Sequence, residues 1–94
     1  MFCDTDVPEV FITPAELSLR PGDEMMLECT ARSTMPVTYE WSKVDGVISP
    51  FTVVDGSFLE IAAVTASDSG TYRCRAVTRT SHSEAFAEIR ISGT

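Results

Sequence analysis

The chain has 94 residues, enough for one domain with one core, and 44% hydrophobic with 22% charged residues is the composition of a folded protein. Fourteen acidic residues against seven basic ones give a net charge of -7. A field of that sign opposes general binding to nucleic acid, anionic lipid or sulfated polysaccharide.

Met1 leads straight into a mature-looking sequence with no cationic-then-apolar leader, as expected of a piece excised from a longer protein. No apolar run reaches the length of a membrane span. Residues 1–8 read as a tail or interdomain linker, residues 9–92 as the folded domain, and residues 93–94 as a linker or expression scar. Asp4 and Asp6 could begin a calcium site at a domain junction, but no further acidic motif follows, and a solvated tail is the better reading. Cys3 precedes the first plausible strand; in an oxidising compartment it would seek a thiol on a neighbouring module or another chain. Asparagine is absent, so no N-linked glycan can attach.

Beyond the tail, apolar and polar residues alternate, and no helical period of useful length competes. Pro8 and Pro14 bracket "EVFIT", as at an edge or at a switch between sheets. The turn "RPGD" (Arg20 to Asp23) precedes "EMMLECTA", where Met25, Leu27, Cys29 and Ala31 share one face. "VTYEWSK" then turns Val37, Tyr39 and Trp41 inward. Asp45–Gly46 and Asp55–Gly56 are tight-turn signals. "FLEI" places Leu59 and Ile61 inward, "TYRCRA" does so with Tyr72, Cys74 and Ala76, and "AFAEIRI" with Ala85, Ala87, Ile89 and Ile91. "TRTSHSEA" reads as the loop between the last two strands. Seven or eight half-buried strands with regular turns predict an all-β protein, a two-sheet antiparallel sandwich.

The inward cysteines give the sandwich a staple. Cys29 and Cys74 lie on strands far apart in sequence, and a disulfide can span facing sheets at the core. Closing that loop is worth about 4 kcal/mol in the chain-entropy picture. Trp41, 12 residues after Cys29, is placed to pack on the bridge. In "SDSGTYRCRA", Tyr72 can turn its hydroxyl back to the preceding corner, Gly70 lets that corner bend, and the Asp68 carboxylate can cap backbone amides or meet a cation.

The motif Cys29…Trp41…Leu59-x-Ile61…Asp68-x-Gly70-x-Tyr72-x-Cys74 resembles the immunoglobulin superfamily over nearly the whole chain. The 33-residue step from Trp41 to Cys74 is too short for the extra hairpin of a variable domain. "PAELSLRPGDEMMLEC" looks like the split first strand of the I-set type, so the resemblance implies an immunoglobulin-like Greek-key sandwich. Many relatives carry a basic residue on the fourth strand to pair the motif aspartate. "SPFTVVDG" has none, which leaves the partner of Asp68 open. "CTARSTMPVTYEWSK" with "LEIAAVTASDSGTYRCRA" resembles, more narrowly, the immunoglobulin modules of perlecan-type basement-membrane heparan sulfate proteoglycans. That resemblance implies a non-catalytic, extracellular spacer and adhesion unit, with matrix proteins such as nidogen or neighbouring immunoglobulin modules as partners. Two other readings stay open: an intracellular I-set module of a giant muscle scaffold, with reduced cysteines, and a ligand-binding receptor ectodomain.

Catalysis needs converging acids, bases or nucleophiles. His82 stands alone, Ser67 and Ser69 read as corner residues, and no cofactor motif or metal-ligand spacing occurs. The expectation is a non-enzyme. For partners, the candidate face is built by outward Glu40, Arg73, Arg75, Phe86 and Glu88, with Arg90 beside them. Opposite charges on neighbouring strands are first of all structural, whereas an outward Phe86 needs cover from a loop, a partner or a module. Met26 and Phe58 also point outward, on the other sheet, where the first strand is one possible cover. Met35 can fold back on the sandwich end, and Arg75, Arg79 and the segment around His82 form the one local basic cluster.

Overall fold

A computed structural model describes residues 8–92. Calcium ligation by Asp4 and Asp6 and the pairing of Cys3 lie outside the described residues. Among the described residues eight strands form: β1 (Glu9–Thr13), β2 (Glu16–Leu19), β3 (Met25–Arg32), β4 (Thr38–Lys43), β5 (Val53–Asp55), β6 (Phe58–Ile61), β7 (Gly70–Val77) and β8 (His82–Ile91), with one 3-10 turn at Ala66–Asp68. They make two four-stranded sheets, ordered β1-β3-β6-β5 and β2-β8-β7-β4.

The alternation explains why these segments are strands. Met25, Leu27 and Cys29 of β3 are buried while Met26, Glu28 and Thr30 are exposed, and β7 buries Tyr72, Cys74 and Ala76 in the same period of two. The inner faces meet in one core of Ile12, Met25, Leu27, Leu59, Ile61, Val64, Tyr72, Ala87 and Ile89 around the Cys29–Cys74 disulfide, whose Cα atoms are 6.4 Å apart. Trp41 pairs with Cys74 across β4 and β7. Its indole Nε1–H donates to the Gly56 carbonyl at 3.2 Å, which ties one sheet to a turn of the other.

Two details depart from the sequence reading. The sandwich is not antiparallel throughout, because β2 runs parallel to β8, Leu17 opposite Ile89. The first strand switches sheets at Pro14 without reversing: β1 pairs with β3, then β2 joins β8 on the other side, with Glu88 N–H donating to the Ala15 carbonyl at 2.8 Å. Proline suits this junction because it asks for no ladder hydrogen bond. Second, His82, Ser83 and Glu84 belong to β8 rather than to a loop, with His82 opposite Val77. A four-residue turn suffices there, since Thr78 N–H donates to the Ser81 carbonyl at 2.8 Å and Ser81 N–H to Thr78 Oγ1 at 3.1 Å. Polar Ser and His at the strand's start hid the continuation from a hydrophobic pattern.

Candidate functional site

The corner before β7 positions the strand that carries the candidate face. Tyr72 is fully buried, and its hydroxyl donates to the Asp68 carbonyl at 2.7 Å. The Asp68 side chain is buried as well. Its Oδ2 accepts the Thr65 backbone N–H at 2.8 Å, so the carboxylate caps the 3-10 turn. That answers the question of its partner. Among the described residues Asp68 forms no ion pair, and the nearby Lys43 Nζ donates to the Ser67 carbonyl at 2.9 Å and lies 5.5 Å from the Tyr72 ring centre. Gly70 holds φ 133°, a backbone conformation that favours glycine, and a Cβ there would lie 3.2 Å from Lys43 Cε, close enough that the lysine side chain would have to shift slightly.

Burial, aided by the Asp68 charge, pushes the Tyr72 phenol up to about 12. The unfolded phenol ionises near 10. Stability from the neutral hydroxyl is therefore complete below pH 10 and drains away as pH rises from 10 through about 12. An alkaline titration of unfolding free energy should show a loss of order 2–3 kcal/mol across that window. Tyr72→Phe should flatten that part of the curve, and an unchanged slope would show that Tyr72 is not the group titrating.

The outer face of β2-β8-β7-β4 is a lattice of charges around one aromatic ring. Arg75 lies between Glu40 and Glu84 in register, Arg73 between Ser42 and Phe86, and Glu88 between Thr71 and Glu16. The Arg73 side chain bridges its neighbours: its Nη1 is 3.8 Å from Glu84 Oε2 and its Nε donates to Ser42 Oγ at 3.1 Å. Arg90 pairs with Glu88 at 3.2 Å. Such exposed pairs are worth about 0–1 kcal/mol each. They neutralise the face without covering Phe86, which stays 51% exposed at its centre. The Arg75 Nε is buried with no acceptor, although its register neighbours are acidic. All five residues singled out from the sequence thus share one surface.

The remaining candidates fall elsewhere. The register neighbours of Arg75 are acids, so the basic cluster with Arg79 and His82 is partly compensated. His82 sits at the opposite end of β7 from the Ser67–Gly70 corner, where Ser69 Oγ donates to the Ala66 carbonyl at 2.7 Å. Met35 reaches the β7–β8 turn, its Sδ accepting from Thr80 Oγ1 at 3.6 Å. The first strand does not cover Met26 or Phe58, both of which remain exposed. Sequence reasoning passed over a cleft of about 520 Å³ beside the corner, lined by Lys43, Val47, Phe51, Ile61, Thr65 and Asp68. Val47 and Phe51 are almost fully exposed at its lip, and two large apolar residues in the turn-rich "DGVISPF" were the available signal. Among the described residues no three His, Cys, Asp or Glu side chains gather as a metal set, and no helix is long and apolar enough to cross a membrane.

A sandwich stapled through its core, with a tryptophan beside the bridge and a tyrosine closing the corner, defines the class of protein. Residues 7–77 match the family described as Immunoglobulin domain, and the chain belongs to that family. It is 38% identical over 86 residues to the mouse basement membrane-specific heparan sulfate proteoglycan core protein, covering 92% of this chain and 2% of that protein. It is 34% identical over 96 residues to mouse hemicentin-2, covering 90% of this chain and 2% of the relative. The chain therefore spans a small part of the curated relatives it matches. Among solved structures it superposes on an eight-domain fragment of Down syndrome cell adhesion molecule with a TM-score of 0.77 at 25% identity, covering 92% of this chain and 12% of that one. A titin M10–obscurin-like 1 immunoglobulin complex matches at TM-score 0.74 and 22% identity, covering 93% and 95%, a likeness of fold alone.

Proposed function

We propose that this chain is a non-catalytic extracellular module of a basement-membrane-type matrix protein, acting as a spacer and as a protein–protein adhesion unit. The likeness to the proteoglycan core protein supports the matrix setting, and a disulfide at the core suits an oxidising compartment better than a muscle cytoplasm. The observation that carries the adhesive part is Phe86, half exposed at the centre of a sheet on which Arg73 pairs with Glu84 and Arg90 with Glu88. A flat face with an aromatic centre and a polar rim has the anatomy of a protein-binding surface. Nidogen and neighbouring immunoglobulin modules are the first partners to try.

Phe86→Ala should weaken binding to such a partner at least about tenfold, the effect of a modest hot spot, with the melting temperature within a few degrees of the parent. Surface plasmon resonance paired with a thermal melt reads both. Binding that survives the substitution removes this face from the proposal. Binding and folding lost together would make Phe86 a structural residue.

A further inference from the structure

We propose that the outer face of the other sheet, β1-β3-β6-β5, docks a basic extended protein segment in which an apolar side chain is flanked by lysine or arginine. Register lays out a checkerboard there. One row across β3, β6 and β5 reads Met26, Glu60, Val53, and the next reads Glu28, Phe58, Asp55. Each apolar side chain has carboxylates beside it, and each carboxylate has apolar neighbours. Met26, Val53 and Phe58 are 48%, 59% and 43% exposed, and with Asp55 and Glu60 they line a groove of about 260 Å³.

Charge selects the occupant. Among the described residues none of Glu28, Asp55 and Glu60 forms an ion pair, whereas Glu84 and Glu88 on the opposite face each have an arginine. No lysine or arginine occurs in β5 or β6, and the only one in β3 is Arg32, at its far end, opposite Glu9. The patch thus concentrates the negative sign of the whole chain around an apolar centre. Glu28 and Asp55 flank Phe58 two strand spacings apart, about 10 Å. Cations two residues to either side of one apolar side chain share its face of an extended segment, about 13 Å apart at the backbone, and their long side chains can lean inward to both carboxylates while the apolar one meets the ring. Anionic lipid and sulfated glycan are repelled here. A second copy fits poorly, because its same face brings carboxylates to carboxylates, and on its arginine-bearing face Arg73 and Arg90 already pair with Glu84 and Glu88, while the Arg75 Nε is buried. This surface is distinct from the Phe86 face, so it adds to the proposed adhesive role without depending on that face.

The test is an amide-shift titration of the ¹⁵N-labelled chain with two synthetic peptides of equal charge, one alternating lysine with leucine at every second position, with serine between so that both share a face of the extended peptide, and one with lysine alone at those positions. The alternating peptide should bind more tightly, with shifts centred on Met26, Val53, Phe58 and Glu60, and binding should weaken with added salt. The double variant Glu28→Lys with Glu60→Lys should lose about tenfold in affinity while melting like the parent, because both side chains belong to the outer face. Phe58→Ala should abolish the preference for the alternating peptide. Equal binding of the two peptides would reduce the patch to a diffuse field and overturn the inference. Shifts centred on Phe86 would overturn it while leaving the proposed function standing. Shifts at Met26 and Phe58 that grow with protein concentration, with no peptide present, would assign the patch to a second copy and overturn it too.

Discussion

Replacing both Cys29 and Cys74 with alanine should lower stability by about 4 kcal/mol, the chain-entropy value for cysteines 45 residues apart. For a domain of this size that corresponds to a fall of roughly 15–30 °C in melting temperature. The bridge joins β3 to β7, one strand from each sheet, so its loss frees the unfolded chain across the middle of its length. It also removes two side chains that are essentially fully buried. Denaturant unfolding of parent and variant under non-reducing conditions reads the difference directly. Equal midpoints would mean that the thiols are reduced in the parent, and would move the chain towards the intracellular scaffold reading. Peptide mass spectrometry on protein from native tissue makes the same distinction without a variant, and would report any partner of Cys3.

The parts of this fold legible in the sequence are those written in a period of two. Met25, Leu27 and Cys29 announce their face because a half-buried strand must alternate, and Tyr72, Cys74 and Ala76 do the same. Parity also places Phe86, Met26 and Phe58 outside, because side-chain direction in a strand follows from position alone. What parity does not carry is the direction of a neighbouring strand. The parallel pairing of β2 with β8 depends on where the chain crosses between sheets, and Pro14 with the resemblance to a split first strand hinted at the crossing without giving the direction. Nor does parity mark where a polar strand begins, which is why His82 to Glu84 looked like a loop. A carboxylate before a turn can cap amides or meet a cation equally well, so the sequence leaves the role of Asp68 open, and the folded corner decides it by placing Oδ2 on the Thr65 amide. The checkerboard around Phe58 needed register as well as parity. Met26 and Phe58 were each visible as outward residues, but Glu60 and Val53 join them only once β3, β6 and β5 are aligned.

The second large effect belongs to Leu59, and a neighbour on the same face supplies its control. Leu59 has no exposed surface and sits opposite Leu27 in the middle of its sheet, at the centre of the core. Leu59→Ala should cost about 3 kcal/mol, the transfer free energy of the lost carbons plus a cavity that the rigid sandwich closes only in part. Its other register partner, Val54 on β5, shares the inward parity yet is 48% exposed. The difference is one of cover. All three residues of β5 are exposed because this short strand lies at the edge of its sheet, beyond the shelter of the opposite one. Val54→Ala should therefore cost under about 1 kcal/mol, since most of its surface never leaves water. Guanidinium unfolding of the two variants should separate them by about 2 kcal/mol or more. Similar losses at both positions would mean that β5 is held as firmly as the core in solution.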